Sequence, residues 1–207
     1  MIDTVTGLLL AGGKSRRMGV DKRFLHLGEH TLFERSLAVL RSCFSDVLVV
    51  IAQDSPALQA EVQVIRDLVP DCGSLGGLYT GLAQASTSYV FVVACDMPFL
   101  DPKTIRAVVA LKGKADIVMA RRDNGLQPMH ALYSKRCLPV MEAMVKARRL
   151  KIQDIVSDPS LTAHVITSTE LSLIDRDGRS FLNVNTPSDL EIARQLMESE
   201  RDASSGL

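Results

Sequence analysis

Tyr89-Val90-Phe91-Val92-Val93-Ala94 is an unbroken apolar run that leads straight into Cys95-Asp96-Met97-Pro98. A strand with apolar residues on both sides of its pleat is buried on both faces, the arrangement of a parallel sheet between helix layers. Outward from it, apolar runs bounded by turn residues recur at 5–11, 47–52, 62–65, 117–120 and 129–133, and helical periodicity fills most of the gaps. Within 31–44, Leu32, Phe33, Leu37, Leu40 and Phe44 fall on one helical stripe while Glu34, Arg35 and Arg41 face elsewhere. Asp101-Pro102 and Thr186-Pro187-Ser188-Asp189 each join a capping side chain to a proline suited to a first helical turn. The alternation predicts an α/β fold: a single three-layer, Rossmann-like domain over residues 1–197, with a mostly parallel twisted sheet and helices on both faces. The polar segment 198–207 is expected to fray.

Composition narrows the partners. A chain of 207 residues suits one compact domain. Lysine plus arginine and aspartate plus glutamate both number 24, so no global basic field exists to draw the chain onto nucleic acid or an anionic membrane. A small-molecule substrate is favoured. Cys43, Cys72, Cys95 and Cys137 form no C-x-x-C pair, which argues against a zinc site or a disulfide framework and suits a reducing cytoplasm. The acidic residue Asp3 and the short apolar run after it match neither a signal peptide nor a membrane span, so a cytoplasmic location is expected.

The first strand runs into Leu10-Ala11-Gly12-Gly13-Lys14-Ser15-Arg16-Arg17-Met18-Gly19, at the edge where an open α/β sheet presents its ligand site. Adjacent glycines let backbone N–H groups approach a polyphosphate, and Lys14, Arg16, Arg17 and Lys22 surround the loop with cationic donors. Gly13-Lys14-Ser15 imitates the end of a P-loop, but the leading glycine would have to be residue 8, which is leucine. The plain structural alternative is a glycine turn flanked by solvated cations. Asp96 stands just past the end of its buried strand, so it shares that edge, and a single carboxylate with substrate phosphates and water is an adequate Mg²⁺ site. The alternative role for Asp96 is a turn cap.

Together, L-A-G-G-K-S-R-R-M-G with Asp21-Lys22, then C-D-M-P-F, then N-V-N-T-P at 183–187 resemble the molybdenum cofactor guanylyltransferases, the MobA-type nucleotidyltransferases. The resemblance implies nucleotide contacts from Leu10, Ala11, Gly12 and Gly13, phosphate contact from Lys22, nucleoside contact from Asp67 and magnesium on Asp96. It implies that Gly73, Gly77, Arg149, Asn183 and Asn185 bind the acceptor, and that Arg17 joins Lys22 and Asp96 in catalysis. The family segment usually written G-P-L-A-G reads Gly73-Ser74-Leu75-Gly76-Gly77 here, which predicts a more flexible loop. Where the family often carries a base-contacting asparagine, this sequence has Ile51, with Gln53 two residues on.

The implied reaction is attack by the terminal phosphate of molybdopterin, or of the molybdenum cofactor, on the α-phosphorus of GTP, with pyrophosphate leaving. Proteins that make or receive the cofactor are the implied partners. Such a transfer needs in-line positioning and charge neutralisation rather than a nucleophilic side chain. His130 therefore reads as a strand residue on the acceptor side, not a base, and Arg121, Arg122, Arg148 and Arg149 are candidates for an acceptor groove. Two rivals keep the same glycine loop: a nucleotidyltransferase that uses CTP or a sugar-phosphate acceptor, and a non-catalytic GTP-binding regulator. The intact Lys22 and Asp96 argue against the regulator.

Overall fold

A computed structural model of the chain describes residues 1–12 and 21–205. Its strands are β1 (Thr6–Leu10), β2 (His26–Leu27), β3 (His30–Thr31), β4 (Val47–Ile51), β5 (Gln63–Arg66), β6 (Tyr89–Ala94), β7 (Ile117–Arg122), β8 (Gly125–Ser134) and β9 (Ala163–Ile166). Its helices are α1 (Leu32–Cys43), α2 (Gly73–Gln84), α3 (Pro102–Val109), α4 (Leu138–Lys146), α5 (Ser168–Ser172) and α6 (Pro187–Ser205). Seven strands form one sheet in the order β5-β4-β1-β6-β8-β7-β9, and β2 pairs with β3 in a small hairpin. The pairs β5–β4, β4–β1, β1–β6 and β7–β9 are parallel, while β8 runs against both β6 and β7.

The two-residue period of each strand sorts its side chains between two cores. Leu9, Val49, Ile51, Phe91, Val93 and Val118 join Phe33, Leu37 and Leu40 of α1 and Ile105 and Val108 of α3 on one face. Leu8, Leu10, Val50, Val90, Val92 and Met119 join Leu75, Leu78 and Leu82 of α2 and Met141 and Met144 of α4 on the other. At roughly 1.5–3 kcal/mol for each fully buried large apolar side chain, these two faces rather than polar contacts hold the three layers together. A smaller cluster of Leu27, Leu32, Val184, Leu190 and Ala193 fastens the β2–β3 hairpin to α6. That cluster brings the 183–187 segment to the carboxyl edge of the sheet.

Local signals fix the element ends. Thr31 caps α1 in a full capping box with Glu34, and Asp101 accepts from the Lys103 and Thr104 amides ahead of Pro102. Asp189 accepts from the Asn185 and Thr186 amides at 2.8 Å each, so the expected start of α6 holds.

Two expectations need correction. The run at 129–133 is the end of the longer β8, whose reversed direction follows from its tight connection to β7 through Asp123-Asn124-Gly125, with Gly125 at φ +108°. Pro128 lies in the same strand where the β7–β8 register shifts, as suits a residue with no amide to donate. Residues 73–77 are not a loop but the first turn of α2, with Gly76 and Gly77 buried against the Asp67 segment and β1. α6 runs to Ser205, and no glycine or proline follows Pro187 before Gly206.

Candidate active site

The carboxyl ends of β1, β4 and β6 open into a cleft with two connected parts. The larger is a cavity of about 400 Å³ whose floor is Leu10 and Gly12 and whose walls are residues 50–54 on one side and Asp67, Asp71, Gly73, Ser74 and Gly77 on the other. The smaller, about 150 Å³, shares Leu10, Gly12 and Ser74 and adds Ala11, Asp21, Lys22, Arg23, Cys95 and Asp96. Gly12 is required by close approach: a Cβ there would stand 2.8 Å from the Ala52 nitrogen. Gly76 is likewise fixed, since its Cβ would meet the Val69 carbonyl at 2.7 Å and an Asp67 carboxylate oxygen at 2.9 Å.

Asp67 is buried, and its Oδ1 accepts from the Thr80 hydroxyl at 2.8 Å and from the Val69 amide at 2.9 Å. These bonds hold the carboxylate on the cavity wall. In the smaller part, Lys22 Nζ donates to Asn185 Oδ1 at 2.8 Å and lies 3.5 Å from Asp96 Oδ2. The Val184 amide donates to the Asp96 carbonyl at 2.8 Å, so the 183–187 segment is pinned directly onto the end of β6. Asn183 turns aside, donating to the Phe181 carbonyl.

Burial raises the Asp96 carboxyl above the ordinary aspartate value, against the opposing pull of the Lys22 ammonium. Its Oδ1 is buried and accepts no hydrogen bond among the described residues. A carboxylate oxygen left so beside a phosphate-sized cavity has the chemistry of a metal ligand. Among the described residues no group of three or more histidine, cysteine or acidic side chains could hold a metal, so a cation here would complete its shell with substrate oxygens and water. Neighbouring Cys95 is no nucleophile: burial pushes its thiol up to about 12.

The structure brings Leu10, Ala11, Gly12, Lys22, Asp67, Asp96 and Asn185 to one cleft. Gly73 and Gly77, predicted on the acceptor side, line the larger cavity together with Asp67. Arg149 is exposed beyond the end of α4 and lines neither cavity, though its neighbour Arg148, at φ +54°, reaches Cys72 Sγ at the start of α2. Arg122 is used elsewhere, donating to the Gly178 carbonyl at 2.7 Å over the Phe181 ring, so it is structural. Gly13 and Arg17, with Lys14 and Arg16, lie outside the described residues.

His130 is wholly buried in β8 between Phe91 and Phe181, with neither ring nitrogen hydrogen-bonded. Burial lowers it to about 4, which makes it a neutral core residue. Arg23 went unnoticed in the sequence. It is buried beside Lys22 and grips both oxygens of Asp21, which holds the Asp21 carboxyl below its usual range and fixes the short turn that carries Lys22. The run Asp21-Lys22-Arg23 was the available signal.

Known proteins resemble this chain over most of its length. A family model described as MobA-like NTP transferase domain matches residues 7–162. A protein of Pelotomaculum thermopropionicum named "Probable molybdenum cofactor guanylyltransferase" is 34% identical, with 95% of each chain covered. The molybdenum cofactor guanylyltransferase of Desulfosudis oleivorans is 33% identical over 97% of this chain and 99% of its own. Among solved structures, molybdopterin-guanine dinucleotide biosynthesis protein A of Archaeoglobus fulgidus superposes with a TM-score of 0.83 at 24% identity, covering 94% of this chain and all of that one.

Proposed function

The chain belongs to the family of MobA-like NTP transferase domains, and on that premise we propose that it transfers GMP from GTP to the terminal phosphate of molybdopterin or the molybdenum cofactor. The observation that carries the reading is the meeting of Lys22, Asp96 and Asn185, from three distant parts of the chain, beside a cavity of nucleotide size.

In this reading the larger cavity takes the nucleoside, with Asp67 on the sugar and the backbone at Leu10, Ala11 and Gly12 along the base and phosphates. The smaller part takes the phosphates. A divalent cation, magnesium in our reading, would be held by Asp96 together with phosphate oxygens and would supply neutralisation of the charge that develops there. Lys22, oriented by Asn185, donates to the departing pyrophosphate, and Arg17 and Gly13 are assigned to the same phosphates. An oxygen of the acceptor phosphate forms a bond to the α-phosphorus while the bond from that phosphorus to the bridging oxygen breaks. The attacking oxygen of the acceptor phosphate is already ionised at neutral pH, so no side chain need take a proton from it, and neutral, buried His130 is not called upon. Asn183 and Arg149 are assigned to the acceptor. Gly73 and Gly77 are reassigned to the nucleotide side, where they keep the wall of the larger cavity close to the ligand.

No helix among the described residues is long and apolar enough to cross a membrane, and we assign the protein to the cytoplasm with its small-molecule substrates. Pyrophosphate release measured with each NTP, with and without molybdopterin and with magnesium present, tests the assignment. Release is expected with GTP only when molybdopterin is added. Release favouring CTP would move the chain to another nucleotidyltransferase activity, and binding of GTP with no release under any condition would make it a regulator.

A further inference from the structure

Behind the wall of the nucleotide cavity, one side chain gathers three backbone carbonyls. Arg66 closes the edge strand β5, paired in register with Ile51 of β4. Its Nη1 donates to the carbonyls of Gln53 at 2.7 Å, Ser55 at 2.9 Å and Ala52 at 3.4 Å. Residues 51–54 line the cavity whereas Arg66 does not, so the loop stands between the guanidinium and the ligand space. The Ala52 carbonyl also accepts from the Ser55 amide at 3.1 Å, which fixes the direction of that peptide a second time. In a planar trans peptide the N–H points opposite to the C=O, so the Gln53 N–H is turned away from Arg66, and Gln53 itself lines the cavity.

We infer that Arg66 is a positioning residue for base selection: by drawing the carbonyls of the 52–55 loop outward it presents a backbone donor, the Gln53 N–H, to the edge of the bound base. The inference rests on the nucleotide reading of this cavity. A donor at that edge pairs with the 6-oxo group of guanine, an acceptor, and faces the 6-amino group of adenine donor to donor. A pocket that hydrogen-bonds one base edge rejects the base that leaves its buried group unpaired. This assigns the selection to the backbone, in a chain where Ile51, an apolar residue buried at the end of β4, has no side-chain hydrogen bond to offer.

Calorimetric titration of the full chain with GTP, ITP and ATP, each with magnesium, tests this, because ITP keeps the 6-oxo group and lacks the 2-amino group. Native protein should bind GTP and ITP on the order of tenfold or more above ATP. In Arg66→Ala, GTP and ITP should weaken by about tenfold while ATP changes little, so the ratio collapses, and affinity for inorganic tripolyphosphate should hold. Arg66→Gln, whose shorter neutral amide does not span three carbonyls, should lose the same ratio, so the result does not depend on the alanine variant folding. A preference that survives both substitutions, a loss shared equally by all three nucleotides, or ITP binding no better than ATP in the native chain would overturn the inference alone. Equal affinity of the native chain for GTP and ATP would overturn it together with the guanylyl assignment.

Discussion

The two oxygens of Asp96 do different work: one faces Lys22, and the other is buried with no donor among the described residues. Asp96→Asn removes a charge that burial disfavours, so the variant should be at least as stable as the native chain. Its turnover should nevertheless fall by on the order of a hundredfold, with a weaker response to magnesium. Unfolding midpoints and pyrophosphate release on the same samples check both halves, and undiminished release would remove Asp96 from the chemistry. Asp96, Lys22 and Asn185 were legible because each is a charged or amide side chain beside a strand end, a glycine loop or a helix start. Arg23 had a local signal in the adjoining Asp21, whose carboxylate it grips, whereas Arg66 had none, because it acts on a row of backbone carbonyls. The carbonyls that Arg66 gathers come together only once the chain is folded.

Of the segments the elements are built from, the first turn of α2 departs most from expectation. Replacing Gly76 with alanine would match the segment G-P-L-A-G that residues 73–77 resemble and would favour an isolated helix by roughly 1 kcal/mol. Here the added methyl group meets the Val69 carbonyl and the Asp67 carboxylate closer than van der Waals contact allows. Gly76→Ala is therefore expected to lower stability by about 1–2 kcal/mol and to weaken GTP binding as Asp67 is pushed aside. Denaturant melts and nucleotide titration measure the two effects, and a neutral result in both would mean that the 67–76 segment shifts freely. The buried strands were legible from apolar runs, and α1 from its stripe and cap. The short edge strand β9 and the β2–β3 hairpin were not, since Ala163-His164-Val165-Ile166 and His26-Leu27 offer too few alternating positions to stand out from loop. The reversal of β8 was readable in principle from Asp123-Asn124-Gly125, a strong hairpin turn.

At the scale of the molecule, the sheet carries one basic group in its core, and this gives stability a pH dependence. His130 titrates near 6.5 when unfolded and at about 4 when folded, with burial the main cause and the Asp101 charge a smaller opposing one. The unfolded chain therefore binds more protons between those values: the full contribution is present above pH 6.5, is lost as pH falls toward 4, and declines no further below that. The loss approaches about 3 kcal/mol, and the capping carboxylates Asp101 and Asp189, both held below their usual range, stay ionised through the window. Urea midpoints from pH 7.5 to 4.5 should fall for the native chain and fall much less for His130→Leu; parallel curves would show that the imidazole finds a partner when protonated. A different consequence follows from the way Val184 and Asn185 dock on Asp96 and Lys22. The strands that frame the larger cavity, β1, β4, β5 and β6, all precede residue 95 in the chain, whereas the lysine–aspartate–asparagine cluster is completed only by residues 183–185. A polypeptide cut short before Val184 would therefore lack both the backbone pin on the end of β6 and the Lys22–Asn185 hydrogen bond.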